Sequence, residues 1–150
     1  MYTTSKDIII KAKKGGYAVP AFNCENLEMV QAIIAAAEET KSPVLLQTTP
    51  STVKYLTLHQ AYAMVKAEAD AASVPVSLHL DHCESYEGVC DALDAGYSSV
   101  MIDASKLPFD ENIALTAKTV AEAHRRGIPV EAELGTVGGK EDSRSASIAY

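Results

Sequence analysis

Five short apolar runs separated by longer stretches of helical period predict an α/β fold with parallel strands. The strand ends point further, to a (β/α)8 TIM barrel of which residues 1–150 supply about the first four and a half βα units. Two observations carry that reading. The runs begin at 18, 44, 76, 99 and 129, which leaves room for a helix between successive strands. Each run also closes on small or polar residues: Asn23, Thr48-Thr49, Asp81-His82, Asp103-Ala104-Ser105 and Glu133. A barrel gathers its active site at the C-terminal ends of all its strands, whereas an open doubly wound sheet gathers polar ends at one switch point. Polar ends on every run favour the barrel.

The elements follow in order. AVPAFN (18–23) is the first strand. ENLEMVQAIIAAAEETK (25–41) then places Leu27, Val30, Ile33, Ile34 and Ala37 on one helical face. VLLQTT (44–49) is the second strand and LHQAYAMVKAEADAA (58–72) the second helix. VSLHLDH (76–82) is the third strand. YEGVCDALDAGY (86–97) is a helix closed by Gly96 in a C-cap position. SVMIDAS (99–105) leads into ENIALTAKTVAEAHRRG (111–127), a helix with basic residues in its last turn and Gly127 behind them. PVEAELG (129–135) is the fifth strand. A full barrel takes roughly 250 residues. The chain therefore reads as the N-terminal part of a single barrel domain, with strand 129–135 left at an open edge that invites pairing.

Composition narrows the function classes. Hydrophobic residues make up 47% and charged residues 22%, as in ordinary globular domains. Net charge is −7, and the basic runs stop at Arg125-Arg126 and Lys13-Lys14, which argues against a nucleic-acid partner. No 18-residue apolar window offers a membrane span, and MYTTSKDIII has too short an apolar run for a signal peptide. Cys24, Cys83 and Cys90 form no CxxC pair and are odd in number, so reduced thiols and a cytoplasmic location are expected.

Chemistry concentrates at three strand ends. In HLDH (79–82), His79 and Asp81 share one face of the strand, and His82 joins them only if the strand bends there. Imidazole is the commonest metal ligand and a carboxylate beside it can act as a base. The same residues would also serve as a polar strand terminus. In VMIDAS (100–105), Asp103 is either an Asx-turn at a loop start or an oxygen ligand aimed at the neighbouring strand's histidine. In VEAELG (130–135), Glu131 and Glu133 fall on one face, where two carboxylates are costly unless something binds them. The next segment, TVGGKED (136–142), has Gly138-Gly139 ahead of Glu141. It is either a mobile loop that carries this carboxylate over a substrate or an ordinary turn. None of the five runs contains a lysine, and Lys106, just past one, is expected to stay solvated. A Schiff-base mechanism is thus disfavoured, and the chemistry leans to a metal with carboxylates.

Taken together, YAVPAFN (17–23), HLDH (79–82), SVMIDAS (99–105) and VEAELGTVGGKED (130–142) resemble, in order and spacing, the class II metal-dependent ketose-bisphosphate aldolases. That family includes fructose-1,6-bisphosphate and tagatose-1,6-bisphosphate aldolases. The likeness runs over the whole chain as the N-terminal half of that fold. It implies a zinc-dependent lyase of carbohydrate metabolism. The enzyme would reversibly cleave a ketose 1,6-bisphosphate to dihydroxyacetone phosphate and glyceraldehyde 3-phosphate. It further implies Asp81 as the acid/base for the hydroxyl proton and Glu141 as the carboxylate that shuttles the carbon proton. His82 would be one of three zinc histidines, and Asp103 and Glu133 would line a second or displaced metal position. Asn23 and Thr49 would contact substrate. The other two zinc histidines and the phosphate loops belong to the family's second half, and helical His59 and His124 cannot replace those histidines. TTPSTVKY (48–55) lies closer to the tagatose-type members. The resemblance also implies a homodimer or homotetramer. Two readings stand beside it: another metal-dependent phosphosugar barrel enzyme, and a non-catalytic half-barrel that needs a partner chain.

Overall fold

The computed structural model describes residues 1–135 and the backbone of two further short strands, 139–141 and 144–146. Period-2 alternation builds a parallel sheet in the order β1 (Ala21–Asn23), β2 (Val44–Thr48), β3 (Val76–Cys83), β4 (Ser99–Ile102) and β5 (Val130–Ala132). Its two faces differ in chemistry. Val44, Leu46, Val76, Leu78, Leu80, Val100 and Ile102 point to one side and belong to the main apolar cluster. There they meet Val30, Ile34, Ala61, Val65, Val89, Leu93 and Ala123 from the helices. The opposite face carries Gln47, Ser77, His79, Asp81 and Ser99 among a few apolar side chains. Such a face cannot serve as a dry core, so the long crossover helices stack on the apolar one. Burying one Leu or Val there stabilises the fold by roughly 1.5–3 kcal/mol.

Helices fill the crossovers as expected. α2 (Leu27–Thr40) is capped by Asn26, whose side chain accepts from Met29 N. α4 (Leu58–Ala71) opens with a reciprocal Thr57–Gln60 capping box, and α5 (Tyr86–Ala95) with Ser85 accepting from Gly88 N. α6 (Phe109–Arg125) precedes β5. Of the face predicted for α2, Val30, Ile34 and Ala37 are buried, while Leu27, in the first turn, is exposed.

Two helices have no counterpart in the sequence reading. α1 (Ser5–Gly15) buries only Ser5, Ile8 and Ala12, so its Ile8-Ile9-Ile10 run reads as neither a helical stripe nor a strand. The segment before it adds to the sheet: Thr3 N donates to Val76 O, and Val76 N to Met1 O. α1 thereby sits against the N-terminal ends of the strands, where Ser5 Oγ donates to Ser99 Oγ at 2.8 Å. α3 (Pro50–Tyr55) is a six-residue helix, too short to show a period, started by Thr49 as cap and Pro50 as first residue. Apart from β3, which runs one residue further, the strands are shorter than the apolar runs, because residues 18–20, 49, 103–105, 129 and 133–135 lie outside them.

β1 and β5 are the outer strands of the sheet, as the open-edge expectation for 129–135 required, and β1 is exposed along its length. The three cysteines are free thiols. Among the described residues no helix is long and apolar enough to cross a membrane.

Gly96 closes α5 with φ at 105°, and a Cβ there would lie 2.6 Å from the Tyr62 ring. Gly96→Ala should therefore lower the unfolding free energy by more than about 1 kcal/mol, from left-handed strain and ring overlap together. Denaturant unfolding reads this directly, and a change below about 0.5 kcal/mol would refute it.

Candidate active site

The third strand breaks its own alternation where the chemistry begins. Pairing of β3 with β4 shifts register between Leu80 and Cys83, and His82 adopts φ 49°. A left-handed histidine inside a strand is uncommon, and such conformations cost of order 1–3 kcal/mol, so the surroundings must hold it. They do so from β4: His82 N donates to Met101 Sδ at 3.4 Å, and Asp103 N to Cys83 O at 2.7 Å. The bulge supplies the bend that simple alternation lacks and brings His82 round towards Asp103 and Glu133.

Three of the predicted residues come together. His82 Nδ1 lies 3.0 Å from Asp103 Oδ2 and 3.7 Å from Glu133 Oε2. One ligand atom from each of the three lies within 4.8 Å of the others. Asp103 forms the Asx-turn and also turns its second oxygen to His82. Its Oδ1 accepts from Ser105 N (3.1 Å) and Ser105 Oγ (2.6 Å) in an Asx-turn, while Oδ2 faces the imidazole. Glu133 is placed by its backbone, whose carbonyl accepts from Asn112 Nδ2 of α6 at 2.9 Å. The same amide group donates to Ala104 O at 3.0 Å and ties the ends of β4 and β5 to one side chain.

Asp81 stands beside this cluster. Gln47 Nε2 of β2 donates to its Oδ2 at 2.7 Å, and its Oδ1 is 3.9 Å from both His79 Nε2 and His82 Nε2. His79 is buried on the same face, with Nδ1 2.8 Å from Ser99 Oγ and Nε2 3.4 Å from Glu131 Oε2. Burial, and secondarily the nearby His82, pushes the His79 imidazole down to about 4, so it is neutral near pH 7. Glu131 moves the other way: burial first, then the Asp81 charge, raises its carboxyl above the usual range.

An open cleft at the ends of β2 and β3 is lined by Asn23, Gln47, Thr49, Ser51, Lys54, Asp81 and His82. Asn23 reaches it from β1. Thr49 also lines it, but its hydroxyl caps α3 and contacts Ser51 Oγ at 2.7 Å. Lys106 pairs with Glu84 at the surface, as a solvated lysine does. Gly139–Glu141 forms β6, antiparallel to β7 (Arg144–Ala146). The Glu141 side chain and Gly138 lie outside the described residues. His59 and His124 lie in the first turn of α4 and the last turn of α6. Sequence reasoning missed Gln47, Ser99 and Asn112. Gln47 carried a signal, since it stands on the polar side of VLLQTT; a buried helical asparagine such as Asn112 carried none.

A parallel sheet with helices on its apolar face, and carboxylates grouped with a histidine at the strand ends, defines half of a barrel-type fold with a donor set that could hold a metal ion. The chain belongs to the class II fructose-bisphosphate aldolase family, whose model matches residues 3–149. It is 52% identical over 139 residues to a probable fructose-bisphosphate aldolase of Bacillus subtilis, covering 91% of this chain and 49% of that protein. It is 46% identical over 142 residues to a fructose-bisphosphate aldolase of Staphylococcus epidermidis, with the same coverage. Among solved structures, the YdjI aldolase of Escherichia coli K12 superposes with TM-score 0.86 at 40% identity, over 90% of this chain and 51% of that one. The chain thus spans about half the length of the curated relatives it matches.

The burial of His79 makes stability pH-dependent. An unfolded imidazole takes a proton near pH 6.5, while the folded one holds out to about 4. Between those values the unfolded chain binds more protons, so stability falls as pH drops from about 6.5 towards 4. The full loss is about 3 kcal/mol. Replacing His79 by Gln should flatten that stretch of the stability–pH curve, measured by denaturant titrations; an unchanged slope would refute the assignment.

Proposed function

We propose that this chain forms the N-terminal half of a zinc-dependent aldolase that reversibly cleaves a ketose 1,6-bisphosphate to dihydroxyacetone phosphate and glyceraldehyde 3-phosphate. The observation that carries the reading is the His82–Asp103–Glu133 donor set standing beside an Asp81 held by Gln47. The fructose-bisphosphate names of the relatives support fructose as the sugar. Tagatose, which differs at one stereocentre, is the alternative substrate that TTPSTVKY favours.

The donor set fits the metal. One imidazole nitrogen and two carboxylate oxygens are ligands that zinc accepts, and their mutual spacing suits a shared ion or two adjacent positions. His82 would be one ligand of the catalytic ion, and Asp103 and Glu133 would line a second or displaced position. When bound, the ion supplies Lewis-acid polarisation of the substrate carbonyl.

The remaining work belongs to the chain's own groups. Asp81 accepts the hydroxyl proton as the carbon–carbon bond breaks, and gives it back in the reverse direction. Gln47 keeps one carboxylate oxygen in a fixed hydrogen bond, which orients the other towards the space between the two imidazoles. Glu141 exchanges the proton on the carbon next to the carbonyl. Asn23 and Thr49, on the cleft wall, contact the sugar. A cytoplasmic, oligomeric enzyme completes the proposal, the free thiols and the family resemblance being its support.

Two substitutions in the full-length enzyme test this. Asp81→Ala should lower turnover by at least about 100-fold while sparing metal content, which elemental analysis measures alongside the cleavage assay. His82→Ala should lose both metal and activity. Wild-type turnover in Asp81→Ala would remove the proposed proton carrier, and full metal retention in His82→Ala would remove the proposed ligand.

A further inference from the structure

His79 has no place in the mechanism above, yet its surroundings are built. It is 97% buried, being 3% exposed, and its Nε2 has no hydrogen-bond partner among the described residues. An unpartnered donor at such burial costs free energy, so its retention calls for a reason. The ring is gripped at its other nitrogen. Ser5 Oγ of α1 donates to Ser99 Oγ at 2.8 Å, and Ser99 Oγ lies 2.8 Å from His79 Nδ1.

The direction of that chain bears on the tautomer. Because Ser99 accepts from Ser5, its own hydroxyl proton is available to point at Nδ1, which then accepts. A neutral imidazole with Nδ1 accepting carries its proton on Nε2. The opposite side of the ring gives the same answer independently. Nε2 faces Glu131 Oε2 at 3.4 Å and Asp81 Oδ1 at 3.9 Å, and these oxygens would repel a lone pair but attract an N–H.

We infer that the Ser5–Ser99 hydroxyl pair at the base of the sheet locks His79 in its Nε2–H form, and that His79 thereby acts as a positioning residue, aiming an N–H into the gap between Asp81 and Glu131. That N–H faces Asp81 Oδ1 at 3.9 Å and Glu131 Oε2 at 3.4 Å and attracts both carboxylates, while Gln47 hydrogen-bonds Asp81 from the side. The inference rests on the proton-carrying role proposed for Asp81.

The test uses the full-length, zinc-loaded enzyme with nitrogen-15-labelled histidine. Long-range nitrogen–proton correlation spectra at pH 7 read the tautomer, with the His79 signals assigned by their loss in His79→Gln. The expected result is Nε2–H in the wild type and a mixture of tautomers in Ser99→Ala. In ketose-bisphosphate cleavage, Ser99→Ala should lose about tenfold in kcat with KM and zinc content unchanged, and Ser99→Thr, which keeps the hydroxyl, should recover most of it. A wild-type Nδ1–H form would overturn the lock, and so would a Ser99→Ala enzyme with unchanged kcat. A locked Nε2–H form in an enzyme that cleaves no ketose bisphosphate would overturn the aldolase reading and uphold the lock.

Discussion

A strand in this protein faces helices on one side and the barrel axis on the other, so parity along the strand decides a residue's fate. Even-numbered positions of β2 and β3, from Val44 and Leu46 to Leu78 and Leu80, are buried under helices. Odd positions bring Gln47, His79 and Asp81 to the other face. Everything chemical depends on this separation. A slip of one residue in register would exchange the two sets, burying carboxylates under helices and turning leucines to the axis. The apolar face therefore stabilises the fold and, by fixing register, also aims the polar face.

The site arises where parity is broken. His82 is an even-numbered residue and would follow Leu80 under the helices, but the register shift and left-handed backbone at 82 turn it out. Strain of this kind persists only if neighbours over-determine it. Here the neighbours are Met101 of the adjoining strand and Asp103 just past its end, which the regular part of the β3–β4 ladder has already positioned. The order of dependence runs from packing to register, from register to bulge, and from bulge to the donor set.

Much of this was legible in the amino-acid sequence. Apolar runs and helical periods located the five sheet strands and the four long crossover helices, because burial imposes a period on the order of the residues. The polar strand ends located Asp81, His82, Asp103 and Glu133. What stayed hidden falls into two kinds. α1 and α3 escaped because one buries few residues and the other has six, too few for a period to show. Gln47, Asn112 and the Ser5–Ser99–His79 chain escaped because their partners are distant in sequence, and only the register of the folded sheet brings them together. The backbone state of His82 was unreadable for a simpler reason, since a histidine adopts positive φ in only a small minority of cases, whereas a glycine there would have signalled it.

The first residues of the chain have a kinetic consequence. Met1 and Thr3 bond to Val76, Tyr2 Oη donates to Gly96 O, and Ser5 bonds to Ser99. These partners appear late in synthesis, Val76 after two βα units have been made and Gly96 and Ser99 after three. Until then the opening segment has nothing to close upon, and its contacts carry the entropy of a long loop. α1 is thus an early segment with a late role: it can dock only on a sheet that has already assembled as far as β4. Its arrival seals the base of the strands and brings Ser5 to Ser99, so the base of these strands is closed by a segment made before any of them.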